Sequence, residues 1–253
     1  MKYFVNEGSI VRKIWGKADT ILFIFAGSAV EFALNKAVDW LYFTGRLPAD
    51  PLGRLFSTIT YARQIIFAEE DAALASIDKI TAIHKGVEQS RGAQIPDWAY
   101  RDVLFMLIDY SIRSFELLDR QLTLAEKIEV FNVFNRVGLR MGLTGLPANF
   151  IQWKQMREDH LQNNLAQSTY TYHLYQQYKK HLGWLRYELL IKVQLMLVPQ
   201  RVGDLLNLGK PGWINLILKA YRFLRHLKVE AFLRNALLPA EYKMQIMGMD
   251  TQY

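Results

Sequence analysis

An all-α fold, one helical domain around an apolar interior, is what this 253-residue sequence predicts, and three observations carry the prediction. Apolar residues recur at helical spacing through almost every segment. No stretch alternates apolar and polar residues as a half-buried strand does. No internal repeat and no linker rich in Gly, Ser or Pro divides the chain, whose length suits one large domain. The composition agrees, with 51% hydrophobic and 13% aromatic residues for a core and 22% charged residues for a surface. Zero cysteines exclude a disulfide scaffold, zinc–thiolate sites, iron–sulfur clusters, thiolate-ligated haem and thiol catalysis.

Taken in order, residues 19–44 read as an apolar helix carrying Glu31, Asn35 and Asp39 at i, i+4 and i+8. "GRLPADPLG" is a proline-bearing turn in which Asp50 caps a helix that Pro51 begins, over 51–68. "EED" then places acids at the positive end of a helix over 70–87, and "EQSRGAQIPDW" is a loop. Residues 99–118 form a strongly apolar helix interrupted by Asp109 and Arg113, spaced for an internal ion pair. A Thr123–Glu126 capping box starts the next helix, which stops near Gly142. A further helix restarts after Pro147, and the long aromatic stretch 165–198 ends at Pro199. Residues 212–235 read as an amphipathic helix with Trp213, Leu216, Ala220, Leu224, Leu227 and Ala231 on one side. These elements predict an N-terminal segment over 1–19, a main helical domain over 20–205, and a basic helical extension over 206–253 packed on it.

The net charge of +7 lies at the ends. Residues 1–17 carry +3 and residues 201–253 carry +4, while the middle is neutral. Basic ends on a neutral body suit an anionic membrane surface better than nucleic acid, which needs a clustered basic face; solvated termini explain them equally well. No secretory signal is read at the start. The most apolar run, "ILFIFAGSAV", is stopped by Glu31 after ten residues, whereas a span needs about 20. The expectation is a cytoplasmic protein open to peripheral membrane contact through its basic C-terminal helix, with no nucleic-acid partner.

The sequence holds no P-loop, GxGxxG, HExxH or GxSxG. A di-iron carboxylate bundle needs Glu-x-x-His pairs, and no Glu stands three residues before any of the five histidines. Single-histidine chemistry remains. Ile77, Ile80, His84 and Val87 share one helical stripe. An imidazole there is either a structural residue tied up by hydrogen bonds, the commoner case, or the iron ligand of a b-type haem. His160, His173, His181 and His226 lie among polar, tyrosine or basic neighbours and read as exposed. Arg54 and Thr58, four apart, offer a guanidinium and a hydroxyl on one face, either to solvent or to a ligand carboxylate. Glu31 within an apolar helix demands a partner, as a buried salt bridge or as an acid or base in a pocket.

Four ordered stretches, "GSAVEFALNKAVDWLYFTGRLPADPLGRLFSTITYARQIIF", "AIHKGV", "LIDYSIRSFELL" and "GLRMGLTGLPANFIQW", resemble the MpaB-type oxygenase family. That family takes in the oxygenase of mycophenolic acid biosynthesis and the catalytic domain of the rubber oxygenase latex-clearing protein, and the likeness covers roughly residues 20–205. The resemblance implies an all-helical fold around haem b, with oxidative cleavage of carbon–carbon double bonds in an isoprenoid or other apolar unsaturated substrate by O₂. It sets His84 in the place of the family's iron-ligating histidine, Arg54 and Thr58 in the place of its Arg and Thr beside the haem, and Glu31 in the place of its acidic pocket residue. Ser57 departs from the rubber enzyme, which has a lysine there that can reach the iron. The likeness is therefore closer to the MpaB branch, whose members can carry a membrane anchor; none is read in this chain. A haem protein of peroxidase-like or sensor type and a non-enzymatic membrane-surface protein are the alternatives to an oxygenase.

Overall fold

The computed structural model describes residues 2–207 and Tyr221, and its regular structure is helical. The helices are α1 Ile10–Trp15, α2 Ala18–Leu34, α3 Val38–Phe43, α4 Arg46–Ala49, α5 Pro51–Phe67, α6 Glu70–Arg91, α7 Asp97–Leu118, α8 Leu124–Arg140, α9 Phe150–Asn163, α10 Thr169–Leu197 and α11 Gln200–Leu206. Among the described residues there is no strand, only the isolated bridges Tyr3–Glu69 and Asn35–Leu165. The all-α expectation holds. The amphipathic helix expected over 212–235 falls outside the described residues apart from Tyr221, whose hydroxyl donates to Asp19 Oδ2 at 2.9 Å.

α2 is the central element, packed lengthwise on α7 and also against α10. It is apolar on nearly every side, as a helix buried all round must be. Its approach to α7 is closest at Gly27, where an added Cβ would sit 2.3 Å from the Tyr110 ring. Glycine costs a helix about 1 kcal/mol relative to alanine, and here that cost admits the ring. Trp15, Phe25, Phe105, Tyr110 and Phe131 are the largest fully buried side chains, drawn from α1, α2, α7 and α8.

The expected caps are present. Asp50 Oδ1 accepts from Gly53 N at 2.8 Å, with Pro51 in the first turn of α5. Thr123 and Glu126 form the capping box of α8. Two expected helices are interrupted instead. The 19–44 helix breaks after Leu34, because Asn35 Oδ1 accepts from Ala37 N at 2.8 Å while the flanking backbone pairs with residues 164 and 166. The long C-terminal helix kinks at Gly183, whose φ of +74° and ψ of 170° are open to glycine alone.

No helix among the described residues is long and apolar enough to cross a membrane.

Candidate functional site

Two polar groupings lie inside this helical frame, and the residues singled out from sequence divide between them. The first joins α5 to α6. Arg54 stands in the first turn of α5, where its Nη1 donates to Thr58 Oγ1 at 2.7 Å and more weakly to Ser57 Oγ at 3.4 Å. Both hydroxyls in turn donate to the Arg54 carbonyl, at 3.1 and 2.8 Å, so they are held in place to accept from the guanidinium. Arg54 has no carboxylate partner among the described residues. Burial, and next the positive charge of Arg46, push its pKa down.

His84 lies on α6 beside this guanidinium and is half-buried. Of its stripe, Ile77 is buried, while Ile80 and Val87 are half-buried. Burial and then the Arg54 charge lower the His84 pKa, against the opposing pull of Glu88 and the Ile80 carbonyl. The imidazole is therefore neutral at pH 7, the form in which it ligates metals. Its Nδ1 is buried without a hydrogen bond. The Tyr100 ring meets the imidazole edge-on, with centroids 5.2 Å apart at 86°.

The second grouping staples α2, α7 and α9 together, and Glu31 is its centre. Glu31 is fully buried, and both its oxygens are occupied. Oε1 accepts from the Tyr110 hydroxyl at 2.6 Å and from Arg157 Nη2 at 2.5 Å. Oε2 accepts from Arg157 Nη1 at 2.7 Å and lies 3.1 Å from His160 Nε2. Burial alone would raise this carboxyl's pKa, but the charge and hydrogen bonds of Arg157, with those of His160, bring it down to about 2. Arg157 also donates to Asp109 Oδ2, from Nη2 at 2.9 Å and Nε at 3.1 Å, and Asp109 Oδ1 accepts from Arg113 Nε at 2.8 Å. His160 Nδ1 lies 2.7 Å from Asp102 Oδ1. Burial works against the charged imidazole, yet the Asp102 and Glu31 carboxylates outweigh it and raise the His160 pKa.

Two expectations are corrected by this geometry. Glu31 is not in a pocket with Arg54, Thr58 and His84: it bonds to none of them, and a carboxylate held near pKa 2 by a bidentate arginine does not shuttle protons at neutral pH. His160, expected at the surface, is 3% exposed. Its neighbours Glu158 and Asp159 made the segment look solvated, whereas Arg157 and His160, three apart, share the inward face. The signal available was charge balance: Glu31, Asp102 and Asp109 sit in apolar helices, and each needs a cation. His173 is exposed, as expected, with Nδ1 3.1 Å from the Tyr42 hydroxyl. The Asp109–Arg113 pair is also as expected.

The first grouping suits a ligand and the second does not. Among the described residues no cluster of three or more His, Asp or Glu side chains is arranged to hold a metal ion. A lone neutral imidazole suits a metal that brings its other ligands with it, as haem iron does. A guanidinium without an acid, backed by a hydroxyl, suits a carboxylate such as a haem propionate. The residues at α5 and α6 could therefore hold a b-type haem, with His84 for iron and Arg54, steadied by Thr58, for a carboxylate.

A family model described as "ER-bound oxygenase mpaB/B'/Rubber oxygenase, catalytic domain" matches residues 13–227, which spans both groupings. No curated protein and no solved structure gives a significant match.

Proposed function

The chain belongs to this family of oxygenase catalytic domains, and on that premise we propose that it is a b-type haem-dependent oxygenase with His84 as iron ligand. The reaction proposed is oxidative cleavage of a carbon–carbon double bond in an isoprenoid or other apolar unsaturated substrate by O₂. One observation carries the reading: a half-buried imidazole, its pKa lowered, stands beside a guanidinium that no carboxylate among the described residues neutralises.

Bound haem would supply the iron at which O₂ is activated. The chain's own residues bind and orient. His84 would offer an imidazole nitrogen to the iron. Arg54 Nη1, steadied by Thr58, would give a propionate a charge-assisted partner. Ser57, at the position of the rubber enzyme's lysine, offers only a hydroxyl, a poor iron ligand that leaves room for O₂ or an added ligand. Ile80 and Val87, on the same stripe of α6, are apolar, which suits an unsaturated hydrocarbon.

Titration with hemin tests the assignment. One hemin per chain and a Soret band are expected for the wild type and for His173→Ala, and no stoichiometric binding for His84→Ala. Full occupancy with an unchanged Soret position in His84→Ala would overturn it. O₂ consumption that depends on an added polyprenyl substrate then separates an oxygenase from a haem protein of another kind.

A further inference from the structure

α6 ends in a turn that folds the following segment back over His84. Gly92, with φ +68°, closes the helix, and Ala93 N donates to the Glu88 carbonyl at 3.2 Å. The Glu88 side chain, one turn beyond His84, then binds the chain that returns. Its Oε1 accepts from Ile95 N at 2.9 Å and from the Tyr100 hydroxyl at 3.1 Å. Glu88 thus ties the 92–96 loop and the first turn of α7 to its own helix. The bond fixes where the Tyr100 ring stands, edge-on against the imidazole at 5.2 Å and 86°. Burial and then Glu88 raise the Tyr100 pKa, so the hydroxyl stays a donor.

A histidine that ligates a metal ordinarily has its second ring nitrogen fixed by an acceptor, which sets the ring plane. At His84 Nδ1 makes no well-formed hydrogen bond, and the one backbone carbonyl acting on the ring is that of Ile80, within the same helix. Glu88, the carboxylate one turn away on the same face, has its Oε1 engaged by Ile95 and Tyr100 and makes no hydrogen bond to His84 among the described residues. The Tyr100 ring, edge-on against the imidazole, is a restraint on its rotation supplied from outside α6. We propose that Tyr100, anchored by Glu88, is a positioning residue that sets the plane of the His84 imidazole. The proposal rests on the reading of His84 as the iron ligand.

The test uses the full chain reconstituted with hemin, with imidazole added, and reads the g-values of the ferric low-spin species by electron paramagnetic resonance. Those values respond to the orientation of the ligand planes, which a loss of stability alone does not move. Tyr100→Leu fills the space without a ring: it should keep one hemin per chain, bind it about tenfold more weakly, and show shifted or broadened g-values. Tyr100→Phe keeps the ring but loses its bond to Glu88, and its g-values should fall between those of the wild type and Tyr100→Leu. Glu88→Gln keeps an acceptor oxygen and covers the case in which Tyr100→Leu does not fold; slight broadening is expected. Wild-type g-values and hemin affinity in Tyr100→Leu, or in Glu88→Gln where only that variant folds, would overturn the proposal. Failure of the underlying reading has a different signature, hemin retained with an unchanged spectrum in His84→Ala.

Discussion

The groupings around Glu31 and around His84 are built from the same kinds of side chain, and they differ in whether the chain completes them. Around Glu31 three carboxylates meet Arg157, Arg113 and His160, and every charge has an opposite within bonding distance. Around His84, among the described residues, a guanidinium has hydroxyls but no carboxylate, and the imidazole packs edge-on against a ring. Low dielectric strengthens a satisfied network and penalises an unsatisfied one. A closed network therefore holds a fold together, while an open one stores binding capacity for something the chain does not contain. Glu31 was the most conspicuous acid in the sequence, and it belongs to the closed set.

The largest expected effect breaks the closed set. Arg157→Met leaves Glu31 and Asp109 buried beside an apolar side chain, and removing one partner of a buried pair costs about 3–5 kcal/mol. Chemical denaturation should show that loss. Arg54→Met, which strands no acid and removes a partly buried cation without a carboxylate, should cost far less than Arg157→Met. Equal losses in the two variants would mean that the open grouping also stabilises the fold, and the contrast between the regions would fail.

Proton linkage gives a second and smaller separation. The folded His160 pKa is raised above its ordinary 6.5. Its contribution is therefore complete below about pH 6.5 and lost as pH rises through the folded value. Glu31 acts with the opposite sign: its contribution is present above pH 4.5 and lost as pH falls toward 2. Stability measured from pH 5 to 9 should decline on the alkaline side in the wild type and stay flatter in His160→Gln. Parallel curves would show that His160 is not the titrating group. His84, whose pKa is lowered, should add no alkaline decline.

The sequence made the fold legible and singled out three residues that the fold brings to α5 and α6, for reasons that particular residues display. Asp50–Pro51 and Thr123–Glu126 are local signals, and local signals survived folding. The break at Asn35 was hidden because its cause is tertiary: Lys36 N bonds to the Asn164 carbonyl, and Asn35 Nδ2 to Asp102 Oδ2, both supplied from far along the chain. His84, Arg54 and Thr58 could be read because helical spacing alone puts them on their faces. Arg157 and His160 could not, since a pattern of charges does not say which of two helix faces is turned inward. The role of Tyr100 was equally hidden, because a five-residue turn, 92–96, lies between its helix and the helix it packs on.

Within the open grouping, Arg54→Ala should weaken hemin binding by about 1.5–3 kcal/mol, the value of a hydrogen bond to a charged group. Hemin dimethyl ester, whose propionates carry no charge, sharpens the test. Arg54 should matter little for the ester. An equal loss with hemin and with its ester would show that Arg54 acts on the protein rather than on a carboxylate.

Thr58→Ala should have the smallest effect, nearer 1 kcal/mol or roughly fivefold in hemin affinity, the net value of one neutral hydrogen bond. Thr58 Oγ1 is already committed, donating to the Arg54 carbonyl and accepting from Arg54 Nη1. Its influence on a ligand should therefore pass through the guanidinium, which it holds in one rotamer. Two consequences distinguish that role from direct contact. Thr58→Ser keeps the hydroxyl and should recover most of the affinity. In an Arg54→Ala background, Thr58→Ala should cost nothing further, because residues in one hydrogen-bonded unit are not additive. If the two losses add instead, Thr58 meets the haem itself, and the pair is two separate contacts.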